Sequence, residues 1–139
     1  QKVNKKIVQY YNDEEINILF EQLNYRNKKE LKILAILTLL YEGAFRVSEL
    51  CNLKIQDINF QRLEVTILNG KGNKNGVVPI TREASKIIQL YINTFKKQEQ
   101  DYIFTNNKGE KYTRWGIDYI LKTNKNKAQE KRPDLFEDK

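Results

Sequence analysis

The 139-residue chain sits near the commonest size of a single domain, and its 25 Lys+Arg against 18 Asp+Glu give a net charge of +7. Its one cysteine, Cys51, excludes an intrachain disulfide, and no apolar run reaches the ~20 residues of a membrane span, so a reducing, cytoplasmic setting is expected. Residues 1–70 carry 10 basic and 9 acidic groups and residues 71–139 carry 15 and 9, which fits either a polyanionic partner or a lysine-rich solvating surface.

Residues 1–11 are basic and aperiodic and read as an arm or interdomain linker. Asn12, with Glu15 three positions on, has the pattern of a capping box, and Ile16, Leu19, Phe20 and Leu23 then form one apolar stripe of a helix. From Leu31 to Tyr41 the sequence is apolar nearly all round, the mark of a central core helix, which Gly43 ends. Helical spacing returns through Val47, Leu50 and Leu53, which places Arg46 at the start of a second buried helix.

Between Ile58 and Ile80 the period changes to two, with Leu63, Val65 and Ile67 alternating with Glu64, Thr66 and Leu68. The Gly/Asn-rich stretch 69–76 is a turn, so a small antiparallel sheet of two or three strands is predicted, with Pro79 near an edge. Thr81 caps a long helix with Ala84, Ile87, Ile88, Tyr91, Ile92 and Phe95 on one face. A short buried run at 101–104 and a turn at 106–110 follow. Thr113 caps a last helix with Ile117, Ile120 and Leu121 inward, and Trp115 reads as a core anchor in preference to a base-stacking ring. Beyond Lys122 the apolar pattern fades, and Pro133 blocks further helix. The class is mainly α (α+β), with one small antiparallel sheet.

Arg46 is the most informative residue. A guanidinium at the mouth of an apolar helix pair is costly unless an anion meets it. It either pairs with Glu49 or caps the helix, or it grips a phosphate with its planar fork, Glu49 at i+3 holding that fork. Lys71, between Gly70 and Gly72, is either a wet hairpin tip or an ammonium carried on a hairpin into a groove. The segment is no P-loop, because Val65 stands where that motif needs glycine. Residues 108–132 hold eight basic and three acidic groups, and Thr113 and Arg114 at a helix start suit phosphate contacts, as do Asn73 and Lys74 on the hairpin.

Read together, GAFRVSELCNLKIQDIN and, further on, GKGNKNGVVPIT resemble the tyrosine recombinase (phage integrase) family, in order and at suitable spacing over roughly residues 12–130. The resemblance implies a helical DNA breaking-rejoining catalytic domain acting on double-stranded DNA. A tyrosine attacks a scissile phosphate and leaves a 3′-phosphotyrosine link, with no metal, ATP or membrane involved. It implies that Arg46 stabilises the charged phosphate, that Lys71 protonates the departing 5′-oxygen, and that Glu49 supports the arginine.

The chain departs from the family in lacking any histidine, hence its H-x-x-R motif; Gln129 stands where that motif would put histidine before Arg132. None of the eight tyrosines lies in the nucleophile context, and Tyr91, Tyr102 and Tyr119 fit helix or core positions. With no Met either, residues 12–139 are expected to be a C-terminally incomplete catalytic domain, monomeric and inactive alone, from a parent that assembles as a tetramer on DNA.

Overall fold

The computed structural model describes residues 10–43, 45–67 and 76–137. Residues 1–9 of the arm expected over 1–11 and the site candidates Lys71, Asn73 and Lys74 lie outside the described residues.

Helix α1 (Asp13–Glu21) opens on a complete capping box: the Asn12 side chain accepts the Glu15 N–H at 2.8 Å and Glu15 accepts the Asn12 N–H at 2.9 Å. Helix α2 (Lys28–Gly43) is the core helix that its apolar run predicts, with Leu31 and residues 35–40 buried. Gly43 closes it for a steric reason, since a Cβ at that position would collide with the Phe45 ring. Phe45, 1% exposed, thereby tucks into the core and sets the chain for the short helix α3 (Val47–Asn52).

A 3-10 turn (Ile55–Asp57) leads into a three-stranded antiparallel sheet in the order β1 (Ile58–Asn59), β2 (Glu64–Ile67), β3 (Gly76–Pro79). Ile58 pairs with Val65, and Val65 with Val78, so the fully buried Val65 lies at the middle of the sheet's inner face. Leu63 stands before the strand rather than in it, at φ 56°, while its carbonyl accepts the Ile80 N–H. Pro79 lies on the outer strand β3, where its missing N–H costs no ladder bond.

Helix α4 (Arg82–Phe95) starts at Thr81, whose hydroxyl accepts the Ala84 N–H, and packs Ala84, Ile88 and Tyr91 against α2. Helix α5 (Arg114–Lys131) runs well past Lys122, where the apolar pattern was expected to fade. Its inward positions in that stretch are Asn124 and Ala128, buried but not hydrophobic enough to extend the stripe. After Pro133 the chain returns to α1: the Phe136 N–H donates to Glu15 at 2.7 Å, and Phe136 is 1% exposed. No helix among the described residues is long and apolar enough to cross a membrane.

Candidate nucleic-acid interface

Arg46 holds the cap position of α3 with extended backbone (φ −78°, ψ 152°), and its side chain is exposed. Glu49 does not hold the guanidinium fork as expected. It accepts the Arg46 backbone N–H at 2.9 Å, and no carboxylate among the described residues lies within ion-pair distance of the guanidinium. The acid at the third helical position can satisfy that orphan N–H only by turning back to the backbone. The arginine is thus fixed at its root by Phe45 and Glu49, and its charge meets no carboxylate among the described residues. A cleft of about 100 Å³ beside α3 is lined by Ser48, Glu49, Asn52, Leu53, Asp57 and Ile67. Ile67, the last residue of β2, lines the same cleft as Glu49 and pairs with Gly76.

Helix α3 packs against α5, and the Lys111 ammonium donates to the Asn52 side chain at 2.6 Å across that junction. Thr113 caps α5 by accepting the Gly116 N–H at 3.1 Å. Arg114 opens the helix with its guanidinium 4.6 Å from the Trp115 ring, and its Nε is buried without a hydrogen-bond partner among the described residues. Trp115 is not the core anchor expected of it: it is 70% exposed, because the second residue of this helix points away from the side that buries Ile117. Tyr119, one turn further, is 72% exposed. Desolvation raises the Asp118 carboxyl above its ordinary range against the pull of the Arg114 guanidinium, and burial likewise raises the Cys51 thiol, which leaves it a poor nucleophile. No cluster of three or more metal-binding side chains occurs among the described residues.

Arg132 is engaged elsewhere. It pairs with Glu14 at 3.1 Å and Asp134 at 2.7 Å. The sequence pattern gave no hint of Lys111 or Lys54, whose placement depends on contacts between segments about 50 residues apart.

An exposed arginine at a helix cap, an antiparallel sheet and a basic helix start stand in a mainly helical fold of the kind the sequence motifs imply. The chain belongs to the phage integrase family, whose model matches residues 9–136. Tyrosine recombinase XerC of Staphylococcus epidermidis is 35% identical over 123 residues, and XerC of Staphylococcus aureus 38% over the same length. Each alignment covers 86% of this chain and 41% of the relative. The crystal structure of XerA recombinase superposes with a TM-score of 0.75 at 27% identity, over 86% of this chain and 43% of that one. The integrase from mycobacterium phage Brujita shares the fold at a TM-score of 0.58 and 17% identity, covering 89% and 39%. The chain therefore spans about two fifths of the length of these relatives.

Proposed function

We propose that residues 12–139 are the phosphate-gripping portion of the catalytic domain of a site-specific DNA recombinase that works through a 3′-phosphotyrosine intermediate. The observation that carries this reading is Arg46, anchored by its backbone to Glu49 and exposed without a counterion among the described residues. In the reaction a tyrosine oxygen bonds to the scissile phosphorus, the 5′-oxygen departs, and the reverse attack by a 5′-hydroxyl frees the tyrosine. Arg46 stabilises the charge on the five-coordinate phosphate, Lys71 gives the departing oxygen its proton, and Glu49 positions Arg46 through the backbone. The tyrosine, a second arginine and a histidine come from the rest of a longer, cytoplasmic protein that assembles as a tetramer on DNA, and the 139 residues alone are monomeric and do not cleave.

Thr113, Arg114, Asn73 and Lys74 contact the backbone of duplex DNA. The exposed Trp115 and the Nε of Arg114, without a hydrogen-bond partner among the described residues, support an interface at the start of α5. In the full-length protein, Arg46→Ala is expected to lower covalent-complex formation on a nicked site by about 10²- to 10³-fold while duplex binding persists. Cleavage by that variant at the wild-type rate overturns the assignment.

A further inference from the structure

Tyr102 lies on the isolated bridge that pairs it with Lys54, and two ammonium groups sit on its ring: Lys54 at 5.2 Å and Lys111 at 5.4 Å from the centroid. Neither has a carboxylate within 4.0 Å among the described residues. Asp57 and Asp101, near Lys54 and Tyr102 in sequence, are turned to backbone N–H groups, those of Lys54 and Gln98, and Glu110, next to Lys111, accepts from the Asn106 side chain at 3.2 Å. Lys111 is further held by Asn52 at 2.6 Å.

The platform under them is fixed from behind. Lys97 donates to the Tyr102 carbonyl at 3.2 Å and to the Thr105 hydroxyl at 2.8 Å, and Lys32 donates to the Thr105 carbonyl at 3.0 Å. Four lysines thus converge on residues 102–105, held by neutral oxygens or a ring, with the Asp101 carboxylate acting electrostatically on Lys97. Concentrating positive charge in this way, in a chain already at +7, works against folding. It is the arrangement that a polyanion rewards, because the cations are already ordered when the phosphates arrive.

We propose that Lys54 and Lys111, each over the Tyr102 ring, make phosphate contacts to the backbone of duplex DNA. The site extends the candidate interface from the end of α3, through Asn52, to the start of α5. It rests on the reading that the chain binds DNA, and it concerns backbone contact rather than sequence readout.

The test is duplex binding by the 139-residue chain, followed by fluorescence anisotropy on two unrelated sequences across a salt series. Each lost phosphate contact lowers the slope of log K against log salt by about 0.9, so K54Q/K111Q is expected to flatten it by roughly two on both sequences. The exposed K111Q alone is expected to give about half of that, and K54R/K111R to retain the wild-type slope. K86Q/K127Q, which removes the same charge from two other exposed positions, is expected to retain it too. A wild-type slope for K54Q/K111Q, or an equal loss in K86Q/K127Q, overturns the site. If R114Q weakens binding while K54Q/K111Q does not, the lysine pair alone is wrong. If the wild-type chain shows no salt-dependent affinity, the DNA-binding reading fails and the site with it.

Discussion

Tyr91 is wholly buried, and its hydroxyl donates to the Ile103 carbonyl at 2.7 Å. Burial pushes its phenol well above the ordinary tyrosine range, so the oxygen is neither accessible nor easily ionised, the opposite of what attack on a phosphate requires. Its ring packs against Phe95 and Phe104 instead, and its role is to tie the 101–104 run to α4. Tyr91→Phe leaves the Ile103 carbonyl buried without its donor and is expected to cost about 1–3 kcal/mol in chemical denaturation. Duplex binding by the folded fraction is expected to be unchanged. Arg46 is the reverse case at the same scale: exposed and outside the core, it contributes through what it meets.

Helix α5 carries its conflict at its first turn. No acidic residue sits there, and Arg114 places a cation where the backbone dipole favours an anion. Arg114→Gln relieves that conflict but also removes the attraction to Asp118 one turn on, so it is expected to leave stability within about 0.5 kcal/mol while weakening duplex binding. A loss in both thermal melting and binding assigns Arg114 to the fold. The start of this helix was legible because Thr113 is a good cap and Ile117 opens an apolar stripe. Its length was not, because Asn124 and Ala128 do the packing after Leu121. Asn124 does so by taking two hydrogen bonds from Gln22, at 2.8 Å to its carbonyl and 2.7 Å to its side chain, a pairing across 102 residues that no local pattern announces. Trp115 was misread for a related reason: its size argues for burial, and only the helix's rotation about Ile117 decides that it faces outward.

Across the whole molecule, the helix order, the sheet and the position of Arg46 were readable because each rests on local chemistry: caps, period and a glycine stop. What joins the two ends was not. Glu15, 3% exposed, accepts the Asn12 N–H of its own capping box and the Phe136 N–H from 121 residues away, so a single buried carboxylate fixes both the start of α1 and the returning tail. Phe136 closes this junction, its ring edge-on to Tyr11 at 5.7 Å and its backbone at φ 66°, a left-handed conformation that a non-glycine residue holds only when its surroundings demand it. The region after Lys122 reads as a charged tail because its sequence is polar, yet it is stapled to α1 by Phe136 and by the pair Arg132–Glu14. The ion pair is exposed and adds little. The ring is the part that matters. Phe136→Ala is expected to cost about 3–5 kcal/mol in urea denaturation, the range for emptying a buried phenylalanine site. Tyr119→Ala, which removes a ring that is 72% exposed, is expected to stay within about 0.5 kcal/mol of wild type. Equal losses in the two variants would mean that the tail does not close on α1 in solution. A selective loss in Phe136→Ala would show that the end of α5, and with it the α3–α5 junction that carries Lys111, is held from the far end of the chain.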